Sequence, residues 1–180
     1  CSSCGVCTST GAGMEAFFHR AEGQYLWDEK GRKYLDFLGG YAVCNVGRNH
    51  PVVKRALMDF LSADIASMIQ FDAPLLAGLL AAELKRRMPV PMDHVYFTNS
   101  GTEGIEAAIK IAKCATGRPA ILYADRAFHG LTSGSLSLNG CQSFRQGFAP
   151  FLPECRMVRF GDLQELERAL SAGDVAAYIV

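Results

Sequence analysis

Between residues 94 and 180 short apolar runs alternate with segments of helical periodicity, and this alternation constrains the fold more than any other feature of the chain. His94-Val95-Tyr96-Phe97-Thr98 reads as a strand and Ser100-Gly101 as a turn. Residues 102–115 read as a helix with Ile105, Ala108, Ile109 and Ala112 on its apolar stripe and Glu106 and Lys110 as a supporting i,i+4 pair. Gly117 stands where such a helix would end. Ala120-Ile121-Leu122-Tyr123-Ala124 is the next strand and Met157-Val158-Arg159-Phe160 another. Asp162-Leu163-Gln164-Glu165 has the form of a capping box opening a helix to about residue 172, and residues 176–180 form a last strand. Strands separated by helices are joined by crossovers, so the expected class is α/β, with a mostly parallel sheet covered on its faces.

The preceding residues follow a different pattern. Gln24-Tyr25-Leu26-Trp27 and Lys33-Tyr34-Leu35-Asp36-Phe37 flank the polar, glycine-containing Asp28-Glu29-Lys30-Gly31-Arg32, which predicts a β-hairpin. Gly39-Gly40 breaks the pattern, and Pro51 opens a helix with Val53, Ala56, Leu57 and Phe60 on one face. A second helix is predicted over residues 74–88, ending in Lys85-Arg86-Arg87, where basic residues suit the negative end of the helix dipole. The predicted organisation is a flexible leader over residues 1–13, an amino-terminal segment with hairpin and helix over 14–65, and the first part of a larger domain over 66–180.

Composition excludes several classes of function. The 180 residues are 49% hydrophobic, which is incompatible with a disordered chain and sufficient for a domain with a core. Eighteen basic residues balance eighteen acidic ones, so no excess of positive charge exists for nucleic acid or an anionic membrane. No apolar stretch reaches the roughly 18 residues of a membrane span. The seven cysteines are odd in number and scattered beyond the first seven residues, a poor disulfide framework that fits a reducing compartment, the cytoplasm. Cys1, Cys4 and Cys7 form a C-x-x-C-x-x-C run, but no nearby Cys or His pair supplies a fourth ligand, so no metal site is assigned. The leader lacks the basic and apolar regions of a secretory signal, and the first residue is not Met. With the apolar run ending abruptly at Val180, the chain is expected to be a fragment of a longer protein, cut at both ends.

Two segments carry chemistry. Thr98-Asn99-Ser100-Gly101-Thr102-Glu103-Gly104 stands between a strand and a helix. Unpaired N–H groups and the dipole at a helix start favour an anion, glycine permits close approach, and the hydroxyls can donate further bonds, as in a phosphate cradle. The alternative is an ordinary capping box with Ser100 as N-cap and Glu103 at N3. The P-loop pattern and G-x-G-x-x-G are both absent. Asp125-Arg126-Ala127-Phe128-His129-Gly130 follows the next strand, and ligands of open parallel sheets gather beyond the carboxyl ends of strands. Phe128 could lay its ring on a flat heteroaromatic ligand and His129 could orient it; the alternative is that Phe128 packs into the core and His129 is a loop residue.

Taken together, these blocks resemble class-III aminotransferases, the group that includes ornithine, acetylornithine, putrescine and 4-aminobutyrate aminotransferases. The resemblance runs from about Gln24 to Val180. It is carried by Tyr25-Leu26-Trp27-Asp28 with Gly31 and Tyr34-Leu35-Asp36, by Gly47 with Asn49-His50-Pro51, and by Asn99-Ser100-Gly101-Thr102-Glu103 with Glu106-Ala107-Ala108-Ile109-Lys110. Phe128-His129-Gly130 and the block from Ala169-Leu170 to Val180 complete it. It implies a fold-type-I transferase dependent on pyridoxal phosphate, with part of an amino-terminal small domain and an incomplete large domain. It further implies that Ser100, Gly101 and Thr102 bind the cofactor phosphate, that Phe128 stacks on the pyridine ring with His129 beside it, and that Tyr41 and Phe71 lie near the substrate. An amine donor, a 2-oxo acid acceptor and a homodimer follow from the same resemblance.

The family's Schiff-base lysine and its pyridine-nitrogen aspartate come after the strand that ends this chain, so the resemblance assigns neither role to any residue here, and the fragment alone is expected to be inactive. Leu131 departs from the pattern of ornithine and acetylornithine members, which carry arginine immediately after the equivalent of Gly130. Leucine cannot make that charged bond to a substrate carboxylate, which favours a polyamine or ω-amine substrate unless Arg126 or Arg145 compensates. A non-catalytic subunit, or a pyridoxal-phosphate isomerase or decarboxylase on the same scaffold, are the competing expectations.

Overall fold

The computed structural model describes residues 16–66 and 74–180, which fall in two compact units divided between Val95 and Tyr96. Phe71 and the Cys1, Cys4 and Cys7 run lie outside the described residues.

The first unit begins with a three-stranded antiparallel sheet of β1 (Phe18–Glu22), β2 (Tyr25–Asp28) and β3 (Lys33–Leu35), in that order. The hairpin expected from the sequence is β2–β3, with Leu26 opposite Tyr34. Its turn is tied by Asp28, whose fully buried carboxylate accepts from the Lys30 and Arg32 N–H groups, from Arg32 Nε at 2.7 Å and from the Tyr34 hydroxyl at 2.9 Å. Burial alone would raise the Asp28 pKa, but the bonds from Arg32 and Tyr34 outweigh it and hold the carboxyl at about 2. β1 was not expected, because its His19, Arg20 and Glu22 give no apolar alternation; it is held by the ladder, by Arg20 stacked over Trp27 and by an edge contact between Phe18 and Tyr34.

After β3, α1 (Gly39–Ala42) is a single left-handed turn in which Gly39, Gly40, Tyr41 and Ala42 all have φ between 54 and 65°. Two of these are glycines, but Tyr41 and Ala42 each hold a conformation that costs an L-residue about 1–2 kcal/mol. Helix α2 (Pro51–Leu61) has Pro51 at its first position, and α3 (Leu75–Arg87) ends in its basic turn, both as expected. The stripe of α2 is not buried among the described residues: Val53 and Leu57 remain exposed.

The second unit is a three-layer α/β arrangement. A parallel sheet has β4 (Ala120–Ala124) in its centre, between β5 (Cys155–Val158) and β6 (Val175–Ile179). Every residue of β4 is buried, as a strand covered on both faces requires. Side chains alternate along it: Ile121 and Tyr123 pack on one face with Ile109 of α4 (Gly101–Thr116), and Leu122 packs on the other near Leu166 and Ala169 of α7 and its end (Leu163–Leu170). Two short helices, α5 (Ser133–Ser137) and α6 (Gln142–Arg145), lie between β4 and β5. Helix α4 ends at Gly117 in the left-handed conformation, its N–H on the Lys113 carbonyl.

Three local expectations need correcting. Residues 94–98 form no strand, because no described segment offers them a hydrogen-bonding ladder. β5 begins two residues earlier than its apolar run suggested, since the register is fixed by pairing with β4, Ile121 opposite Cys155. The Asp162 box is only half made: Asp162 accepts from the Glu165 N–H, while the Glu165 carboxylate takes the N–H of Arg159 instead. Among the described residues no helix is long and apolar enough to cross a membrane, and no cluster could hold a metal ion.

Candidate active site

The start of α4 is a complete capping box. Ser100 Oγ accepts from the Glu103 N–H, while Glu103 Oε2 accepts from the N–H groups of Asn99 at 2.8 Å and Ser100 at 3.1 Å. The Gly104 N–H bonds the Ser100 carbonyl. Among the described residues this leaves the N–H groups of Gly101 and Thr102 without an acceptor, at the positive end of the helix dipole. A Cβ placed on Gly101 would meet no atom within 4 Å, so the space beside this residue is open. Capping and anion binding are therefore compatible here, because they use different N–H groups.

The strand β4 delivers the second segment to the same place. Ser100, Gly101, Thr102, Ile105, Phe128, His129, Gly130 and Leu131 line one open cleft of about 580 Å³. Phe128 touches Phe144 edge-on, with ring centroids 5.3 Å apart, and is otherwise 58% exposed, so it does not plug the core. His129 Nε2 is buried and has no hydrogen-bond partner. Burial pushes the imidazole below its ordinary pKa, partly offset by the Ile179 carbonyl. The Gly130 φ of +113° is open only to glycine, and a Cβ there would collide with the Thr102 side chain.

Among the described residues no Asp, Glu, Lys or Arg lines this cleft. Arg145 is committed elsewhere: it bonds the Tyr123 hydroxyl and the Asn139 carbonyl and stacks over Phe151 at 4.2 Å. Arg126 lines a separate cavity with Arg159 and Phe160. Neither arginine is among the residues that line the cleft with Leu131. Tyr41, in the first unit, is 85% exposed on its left-handed turn.

The expected Glu106–Lys110 pair is not made. Glu106 Oε1 instead accepts from the Gly134 N–H at 2.9 Å, the Ser135 N–H at 3.1 Å and the Thr132 hydroxyl. Three backbone and hydroxyl donors converging on one carboxylate outweigh a solvated i,i+4 pair worth roughly 0.2–0.5 kcal/mol. Thr132 and Ser135 in turn contact Thr102 Oγ1, at 2.8 and 2.6 Å. Sequence reasoning missed this connection because its partners lie far along the chain.

The aminotransferase class-III family model matches residues 8–180. The chain belongs to the class-III aminotransferase family. Among its curated relatives, the aminotransferase PigE of Serratia is 38% identical over 91% of this chain and 19% of its own length. The putrescine aminotransferase of Pectobacterium atrosepticum is 37% identical over 96% of this chain and 38% of its own length. The acetylornithine aminotransferase of Bacillus anthracis is 34% identical over 91% of this chain. The chain spans about two fifths or less of the length of these relatives. Solved structures agree on the fold-type-I architecture. The ornithine aminotransferase of Toxoplasma gondii superimposes with a TM-score of 0.84 at 23% identity over 96% of this chain and 43% of its own. The taurine:2-oxoglutarate aminotransferase of Bifidobacterium kashiwanohense, solved with pyridoxal phosphate and glutamate, gives 0.82 at 25% identity over 92% of this chain and 42% of its own.

Proposed function

We propose that the full-length protein carrying this class-III chain transfers an amino group between an amine or ω-amino acid and a 2-oxo acid, with pyridoxal phosphate as cofactor. The observation that carries this reading is the single cleft lined by Ser100, Gly101, Thr102, Phe128, His129 and Leu131. Its residues fit the group. The free N–H groups of Gly101 and Thr102, the Ser100 hydroxyl and the open space at Gly101 suit a phosphate, and among the described residues no carboxylate lines the cleft to repel it. The exposed face of Phe128 suits a flat ring, and His129 lines the cleft beside it. When bound, the cofactor supplies an electron sink for bonds at the carbon bearing the substrate nitrogen.

The roles of this chain are binding and orientation. Gly101 and Thr102 hold the anion at the start of α4, and Phe128 fixes the plane of the ring. Leu131 gives the substrate side an apolar wall, and with Arg126 and Arg145 lying elsewhere the favoured donor is one whose far end carries no carboxylate, such as a diamine. Tyr41 and Phe71 are assigned to the substrate side on the family resemblance, which also supports a homodimer and a lysine and aspartate beyond Val180. The scattered cysteines support a reducing, cytoplasmic location. Incubating the full-length protein with a diamine and a 2-oxo acid tests the reading. Formation of the matching amino acid and amino aldehyde supports it, whereas loss of carbon dioxide or an isomerised donor without amino acid would overturn it.

A further inference from the structure

Glu106 lies one helical turn beyond Thr102 on α4, with its carboxylate turned toward the loop that forms the opposite wall of the cleft. Helix α5 receives no side-chain cap from its own N-cap residue, Thr132; the free N–H groups of Gly134 and Ser135 go to Glu106 instead. The approach is so close that a Cβ on Gly134 would collide with the carboxylate. An ionised carboxylate only accepts, so the Thr132 proton goes to Glu106 and Thr132 Oγ1 remains an acceptor for its neighbours. Ser135, fully buried, and Thr132 then fix Thr102 Oγ1 from one side, and the backbone of Gly130 confines it from another.

The proton count fixes the Thr102 side chain and leaves the Thr102 backbone N–H as its donor toward an anion. Thr132 donates to Glu106, so in its 2.8 Å contact with Thr102 it accepts the Thr102 proton, and Ser135 is left to donate to Thr102 Oγ1 or to the Thr132 carbonyl. One carboxylate outside the cleft thus holds the loop from Thr132 to Ser135 and, through it, the Thr102 side chain of the turn.

We propose that Glu106 is a positioning residue that sets the affinity of the turn at Ser100, Gly101 and Thr102 for the cofactor's phosphate, acting through Thr132 and Ser135 on the Thr102 side chain. This rests on the reading of the cleft as the cofactor site. In the full-length apoprotein, Glu106→Ala is expected to weaken pyridoxal phosphate binding by roughly ten-fold or more, the effect of losing bonds to a charged acceptor. Binding of pyridoxal, which lacks the phosphate, should be unchanged. Glu106→Gln, which keeps an acceptor oxygen for the Gly134 and Ser135 N–H groups, should recover most of the loss. Thr132→Val, which leaves those two backbone bonds in place, should reproduce the phosphate-selective weakening even if Glu106→Ala fails to fold. Absorbance titrations with the two ligands decide the matter. Equal weakening of both ligands, or unchanged pyridoxal phosphate affinity in the variants, overturns the proposal while leaving the cofactor reading intact. A wild-type protein that binds neither ligand overturns the cofactor reading and this proposal with it.

Discussion

Replacing Gly101 with alanine separates the demands of ligand binding from those of folding. A Cβ at this position meets nothing within 4 Å, and Gly101 has helical rather than left-handed backbone geometry. Alanine is therefore free of strain, and its smaller unfolded-state entropy should stabilise the apoprotein by about 0.4–1 kcal/mol. The same methyl group takes up open space at the first residue of α4, beside the turn where the phosphate is proposed to sit. Hydrogen bonds to a charged partner are worth about 1.5–3 kcal/mol each, so displacing the anion from one donor should raise its dissociation constant roughly ten-fold to hundred-fold. Denaturant unfolding of the full-length apoprotein measures the first quantity and absorbance titration with pyridoxal phosphate the second. A variant that is both more stable without cofactor and poorer at retaining it is the expected result. Lower apoprotein stability would show that the space at Gly101 is not free, and unchanged affinity would show that the phosphate does not approach this turn.

Three further outcomes follow from the same geometry. Phe128→Ala should weaken pyridoxal phosphate binding about two-fold to ten-fold, the worth of one aromatic stacking contact, with little change in apoprotein stability because the ring is already exposed; a large fall in the unfolding midpoint would assign Phe128 to the core. The full-length enzyme should show a higher kcat/KM for a diamine than for N-acetylornithine, and Leu131→Arg should narrow a gap that is on the order of 2–5 kcal/mol for an unpaired carboxylate in a closed site. A wild-type preference for N-acetylornithine would mean that another residue reads the carboxylate. Asp28 titrates at about 2 in the folded state against an ordinary 3.8, so its stabilising effect is full above about pH 4 and is lost as the pH falls through 2. The difference in unfolding stability between wild type and Asp28→Asn should therefore shrink on acidification across that window, and a difference that stays constant from pH 6 to pH 2 would refute the assignment.

Features that depend on local chemistry were legible in the sequence. The Ser100–Glu103 box, the Gly117 stop, Pro51 at the start of α2 and the hairpin turn closed by Asp28 all make their decisive bonds within a few residues. The parallel sheet was legible as a class, because the buried β4 has to read as an unbroken apolar run. Register was not, since β5 takes its boundary from β4, more than thirty residues away in sequence. Residues 94–98 have the composition of a strand, but a strand exists only where a neighbour completes its ladder. Glu106 was misassigned for the same physical reason: its helical neighbour Lys110 was visible in the sequence, whereas Thr132, Gly134 and Ser135 reach it only through the fold. At the cleft, the sequence supplied the residue types and their order. It could not show that Phe128 keeps an exposed face or that Arg126 and Arg145 are engaged elsewhere.

The most direct test of the account is the structure of the full-length protein with pyridoxal phosphate bound. The phosphate is predicted to lie within hydrogen-bonding distance of the Gly101 and Thr102 N–H groups, with the pyridine ring against the exposed face of Phe128. A phosphate held away from the start of α4, or a ring that leaves Phe128 uncovered, would contradict it.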